Sequence, residues 1–190
     1  MTADITKILE AFSVTHAVIL DGDTGAEEVN GDIYGVESAS ITPDLGSYDN
    51  VGDDKVKSTW KWFNKATIAV QAGYIPFDLI ALVYGSTVSS SGTGADTRYE
   101  LPLWEKQGEN VTIRPLLIRC EAKDSNANVR WFEFIFYKCQ FAPLSFTGPA
   151  YKDGLKISYT AEVLMSDTNE EGTTLAYEAA GRLISRAQAQ

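Results

Sequence analysis

Through much of the chain apolar and polar residues alternate with period two, the spacing that puts every second side chain on one face of a β-strand. Residues 155–165 show it most clearly. Leu155, Ile157, Tyr159, Ala161, Val163 and Met165 fall on one face, and Lys156, Ser158, Thr160 and Glu162 on the other. Residues 55–72 alternate too, with Val56, Trp60, Trp62, Ala66, Ile68 and Val70 opposed by Lys55, Lys57, Thr59, Lys61, Lys65, Thr67 and Gln71. At ~3.3 Å per residue this is one very long strand, or two joined by a bend near Asn64. The run 129–141 (VRWFEFIFYKCQF) is apolar on both faces, as a covered central strand would be. Shorter candidates are 15–20, 33–41 and 98–104, and 111–121, where Pro115 points to a sheet edge or a bulge. This pattern predicts a mainly β protein: an antiparallel β-sandwich or partial barrel of two packed sheets.

Helical spacing is predicted in three places. In 3–12, Ile5, Ile8, Leu9 and Phe12 form one stripe. Residues 76–84 begin at Pro76 and stop at Gly85, the start and stop chemistry of a short flanking helix. In 174–188, Leu175, Ala179 and Leu183 align beside Ala176, Ala180 and Ile184, with Arg182 and Arg186 near the C-terminal end and Gly181 weakening the helix. The chain then reads as one domain over 1–190, with an N-terminal helical arm (1–14) and a C-terminal helix (173–190). Two loops stand out. Residues 42–54 (TPDLGSYDNVGDD) are a long polar connection where a hairpin usually turns in 2–5 residues, and 85–97 are rich in small residues.

Composition changes the picture mainly through where the charge sits. The net charge is −10. Residues 1–54 carry 12 acids and one lysine, a balance of −11, and residues 55–190 carry 14 acids against 15 Lys and Arg, a balance of +1. No basic stripe is available to grip phosphates, which argues against tight nucleic-acid binding. The acidic quarter reads as a solvated flank, or as a surface that repels DNA where DNA must pass without sticking. Its candidate acidic surface is Asp21, Asp23, Glu27, Glu28 and Asp32. No apolar run approaches the ~18 residues of a membrane span and no basic-then-apolar leader is present, so a soluble, unexported protein is expected.

Candidate chemistry is sparse. His16 is the single histidine, so neither a triad nor a multi-His metal site can be built on it. DGDTG at 21–25 starts like a calcium loop, but Gly25 stands where a third oxygen ligand is needed. The acidic residues at 21–32 could supply an acid–base pair, yet they share one Gly-containing loop, where solvated charge is the better account. Cys120 and Cys139 lie in apolar strands and read as free buried thiols. Three of Trp60, Trp62, Trp104 and Trp131 occupy strand positions with aliphatic neighbours, and core packing accounts for them better than ligand stacking. No catalytic residue, metal or cofactor is expected, and the chain does not read as an enzyme.

Four segments carry a resemblance: 141–161 (FAPLSFTGPAYKDGLKISYTA), 72–92 (AGYIPFDLIALVYGSTVSSSG), 98–105 (RYELPLWE) and 41–50 (ITPDLGSYDN). In this order they resemble the major tail tube proteins of long, flexible-tailed (siphovirus-type) bacteriophages, especially those of actinobacterial hosts. The resemblance touches most of the chain from about residue 41 to 165. It implies the tail-tube fold, a virion structural protein that assembles in the host cytoplasm as stacked hexameric rings and conducts DNA during ejection. Implied partners are further copies of the chain, a tape-measure protein, tail terminator and tail-tip proteins, and genomic DNA in transient passage, with no membrane. Residues 42–54 match the family's inter-ring assembly loop, which makes Thr42, Pro43, Asp44, Leu45, Tyr48, Asp49, Asn50, Asp53 and Asp54 its candidate residues. Lys55, Lys57, Lys61 and Lys65 share a strand face on the alternating pattern, and an outer or inter-subunit position facing the acidic quarter suits them. The alternative readings are another virion or contractile-injection β-protein (a tail terminator, a head decoration protein or a contractile tube subunit) and a carbohydrate-binding or hydrolytic β-sandwich.

Overall fold

The computed structural model describes residues 8–52, 55–73, 76–102, 113–124, 129–142, 145–147 and 156–187. The protein is mainly β and its strand pairings are antiparallel. The strands are β1 (Ile8–Leu20), β2 (Glu27–Asp32), β3 (Val36–Gly52), β4 (Lys55–Ala72), β5 (Ser89–Ser91), β6 (Arg98–Glu100), β7 (Ile113–Asp124), β8 (Val129–Phe141), β9 (Ser145–Thr147), β10 (Lys156–Val163), β11 (Ser166–Thr168), β12 (Thr174–Ala179) and β13 (Gly181–Ala187). Among the described residues one α-helix, α1 (Phe77–Tyr84), interrupts them. Among the described residues, no helix is long and apolar enough to cross a membrane.

The main sheet runs β2-β1-β7-β8-β10-β4-β3, with β13 added to β8 and β9 to β10. Its two end strands, β2 and β3, are separated in sequence only by residues 33–35. That short link is tied to both ends of the path: Ile33 N–H donates to Ala17 O at 2.9 Å and Gly73 N–H to Gly35 O at 3.0 Å. A sheet whose first and last strands are joined by so few residues must curl back on itself, consistent with the sandwich-like pair of layers expected from the alternation.

The core fills the inside of this curl. Ala17 and Ile19 of β1, Ile68 and Val70 of β4, Leu116 and Ile118 of β7, Cys139 and Phe141 of β8, and Ile157, Tyr159, Ala161 and Val163 of β10 form one cluster. The alternation read from 155–165 is therefore realised from Ile157 to Val163; the strand ends before Met165, which is half-buried, and Leu155 lies outside the described residues. Helix α1 adds Leu79, Ile80 and Val83 to the same cluster. It starts after Pro76 and ends at left-handed Gly85 (φ 63), with Gly85 N–H on Leu82 O and Ser86 N–H on Ala81 O. That reciprocal pattern satisfies the last carbonyls of the helix. A smaller cluster lies on the reverse face of β1, β7 and β8, where Val18, Leu20, Leu117, Ile135 and Tyr137 meet Leu175, Ala179 and Ile184.

Where they are described, both segments expected as terminal helices are strands. Residues 8–12 belong to β1, which pairs with β7 through residue 19, so the arm expected over 1–14 is sheet from Ile8 onward. Residues 1–7 lie outside the described residues. Against β7, β1 carries extra residues at Leu9, Phe12 and Thr15, one bulge every three residues. Repeated bulges replace period two by a spacing close to helical, which is what the stripe of Ile8, Leu9 and Phe12 recorded. Residues 174–188 divide into β12 and β13 around Ala180. Spacings of four suit one strand face as well as one helix face, and Gly181 is required because a Cβ there would stand 2.2 Å from Ile135 O on β8. Pro115 falls at a register break between Arg114 and Leu116, the expected bulge, but β7 is an interior strand and not an edge.

Candidate assembly interface

The segment expected as a loop over 42–54 is strand through Gly52. Strand β3 continues past Ile41 and pairs with β4 from Val36↔Ala72 out to Gly52↔Lys55. Thr42, Pro43, Asp44, Leu45, Tyr48, Asp49 and Asn50 are thus rungs of a long hairpin, while Asp53 and Asp54 lie outside the described residues. A ladder of backbone hydrogen bonds explains why so polar a run is extended: the partner strand supplies what the side chains do not.

Beyond the sheet this hairpin is a two-stranded ribbon. Strand β10 accompanies β4 only over Ala66–Ala72, and β3 pairs only with β4 among the described residues. From Asp44 to Gly52 the ribbon extends about 30 Å, and among the described residues no other strand pairs with either outer edge. Open edges present unpaired N–H and C=O groups to any strand of matching register.

A bulge sets which side chains the ribbon displays. Asp44 pairs with Lys65 and Leu45 with Phe63, leaving Asn64 as the extra residue, at the position where a bend is expected. Pairing partners share a face. Phe63 with Leu45 therefore falls on the side of Pro43 and Ile41 and packs against the main core. Trp62 with Gly46 and Trp60 with Tyr48 turn to the opposite face. Tyr48, Trp60 and Trp62 are 63%, 68% and 50% exposed. This corrects the expectation that Trp60 and Trp62 pack in the core beside Ala66 and Ile68. The Trp62 indole lies against Gly46, where a Cβ would stand 2.3 Å from the ring.

The same bulge separates the lysines. Lys61 pairs with Ser47 and Lys65 with Asp44, three residues apart on β3 and so on opposite faces. Lys65 Nζ donates to Glu162 Oε1 at 2.7 Å, and this bond, with the nearby carboxylate charge, raises its pKa. The side chains of Lys55 and Lys57 lie outside the described residues.

The acidic candidates are tied into turns and ion pairs. Asp21 Oδ1 accepts from the backbone N–H of Asp23 (3.0 Å), and from the backbone N–H and hydroxyl of Thr24 (2.8 Å each), which hold its pKa below the ordinary value. That oxygen is committed to the turn. Arg114 of β7 stands 3.9 Å from Asp21 and 3.8 Å from Glu28. Asp32 meets His16 across the β1–β2 pair, and Asp23 and Glu27 are exposed. Cys139 is buried, with its thiol pKa raised by desolvation, and Cys120 is half-buried. Both are free. Trp131 lies half-buried beneath the Arg119 guanidinium, 4.8 Å from ring centroid to cation, and Trp104 lies outside the described residues.

The display of Tyr48, Trp60 and Trp62 escaped the alternating pattern because a single inserted residue inverts it. Asn64 was the available signal. A scan against protein-family models finds no match to this chain, and neither does a search of curated proteins.

Proposed function

We propose that the chain is a structural subunit that polymerises into a tube, the tail tube of a long, flexible-tailed bacteriophage, with the corresponding tail-tube fold. The observation that carries this reading is the projecting β3–β4 ribbon, without a further strand partner among the described residues and bearing exposed Tyr48, Trp60 and Trp62. It occupies the segment where the tail-tube resemblance locates the assembly loop. An isolated two-stranded ribbon is marginal in water, and exposed aromatic side chains are the kind that anchor interfaces when a partner covers them. In this reading rings of six subunits stack through the ribbon, a tape-measure protein sets the length, and terminator and tip proteins close the ends. The acidic quarter keeps the conduit from retaining a polyanion. The chain has no reaction to catalyse and its place is the virion tail.

The test is negative-stain electron microscopy of the purified protein across concentration and salt, alone and with a tape-measure fragment and tail tip. Hollow tubes or stacked rings are expected, and a deletion of 42–54 should leave folded subunits that no longer polymerise. Monomers under every condition would overturn the function, and normal tubes from the deletion would overturn the role of the ribbon.

A further inference from the structure

His16, the only histidine, projects from β1 toward β2. Its Nε2 lies 2.9 Å from Asp32 Oδ1, yet the two atoms lack the alignment of a hydrogen bond, and both are shut away from solvent without another partner. This close, desolvated ion pair without hydrogen-bond alignment leaves both atoms room for a further partner. The Tyr34 hydroxyl donates to the other Asp32 oxygen at 3.2 Å, which leaves Oδ1 turned to the imidazole. Glu27, exposed and free to rotate, brings a third ligand atom, and the three lie within 4.8 Å of one another. Glu27 and Asp32 are five residues apart and would face opposite ways on a regular strand. The left-handed backbone of Asn30 (φ 65) and the register shift between Val18 and Leu20 bring both toward His16.

We propose that His16 Nε2, Asp32 and Glu27 form a site for a divalent cation of the zinc class, completed by water, which fastens edge strand β2 to β1. A neutral imidazole with two carboxylates supplies two negative charges to a dication. Zinc takes nitrogen and oxygen ligands at about 2.0–2.2 Å, so a tetrahedral trio sits roughly 3.3 Å apart. The His16–Asp32 contact is close to that spacing, and rotation of the Glu27 side chain closes the remainder. The imidazole disfavours calcium and magnesium, which prefer all-oxygen shells.

The test uses the full, untagged chain after dialysis against a chelator. Because there is one histidine, its imidazole signals in a ¹H–¹⁵N spectrum report the site in the unaltered protein. Zinc is expected to bind at one ion per chain by calorimetry, to move the His16 signals and to raise the thermal midpoint, while equal magnesium moves none of them. Glu27→Gln, on an exposed side chain, should weaken zinc binding at least ten-fold, and Asp23→Asn should leave it unchanged. Saturating zinc that leaves the His16 signals unmoved, or equal affinity in Glu27→Gln and the parent, would overturn the site.

Discussion

Glu133 is buried at 1% exposure, and Arg119 holds it through two bonds to one carboxylate oxygen, Nε at 3.0 Å and Nη2 at 2.9 Å. The guanidinium is held in turn over Trp131. Withdrawing it takes a charged partner from a carboxylate in the interior, a change worth up to about 3–5 kcal/mol. Arg119→Ala should therefore lower the urea midpoint markedly, whereas Arg119→Lys should recover only part of the loss because it lacks the planar fork. Tyr159 is a second test at this scale. Burial pushes its hydroxyl up to about 12 from 10.0. Between those values the unfolded chain has lost the proton that the folded chain keeps, so the unfolded state binds fewer protons and stability falls as pH rises. The slope from this residue is at most about 1.4 kcal/mol per pH unit. Unfolding curves from pH 9 to 12 should show it, and Tyr159→Phe should flatten that share. Gly181→Ala forces a Cβ onto the Ile135 carbonyl, with backbone on both sides. The expected loss is about 1–3 kcal/mol, with β13 amides in hydrogen exchange the first to lose protection.

At the scale of elements, uninterrupted alternation was legible and interrupted alternation was not. Strands β4 and β8 have the bounds that their patterns imply, and α1 follows from Pro76, Gly85 and the apolar run between them. Strand β1 misled because its bulges at Leu9, Phe12 and Thr15 imitate helical spacing locally, while the pairing that makes it a strand comes from β7, a hundred residues away. In β12 and β13 the spacing of four served both geometries, and only the close approach of Gly181 to β8 decides between them. The polar outer half of β3 carries no burial signal of its own. Its register is written in β4, where Asn64 inverts the faces. Removing Asn64 takes out the unpaired residue and leaves each pairing, and so each face, in place: Phe63 stays opposite Leu45, and Trp60 and Trp62 stay displayed. The free subunit should then keep its tryptophan emission maximum and its acrylamide quenching. A blue shift with less quenching would mean that Asn64 is not the bulge that sets the faces.

At the scale of the whole molecule, the β3–β4 ribbon carries three exposed aromatic side chains, Tyr48, Trp60 and Trp62, away from the main core within the curled sheet. Assembly and stability should then be separable. Trp60→Ser with Trp62→Ser should leave the thermal midpoint nearly unaltered, because both indoles are at least half exposed. If the chain polymerises as proposed, the same pair should abolish or shorten the tubes in negative-stain electron microscopy. A large fall in the midpoint would instead make the indoles part of the subunit's own packing.

Strand β10 has a consequence for synthesis. It lies between β4, which it pairs along Ala66–Ala72, and the end of β8, which it pairs along Cys139–Phe141. Until residues 156–163 leave the ribosome, β4 and the end of β8 each wait with an unfilled side, and the two flanks of the sheet are joined only through the link at 33–35. At translation rates of roughly 5–20 residues per second, β4 is in that condition for several seconds before its partner emerges. In a crowded polysome, the β10 of a neighbouring nascent chain can occupy the gap, giving a strand-exchanged dimer. The order of strands thus makes the final third of the message the step that decides whether each chain closes on itself.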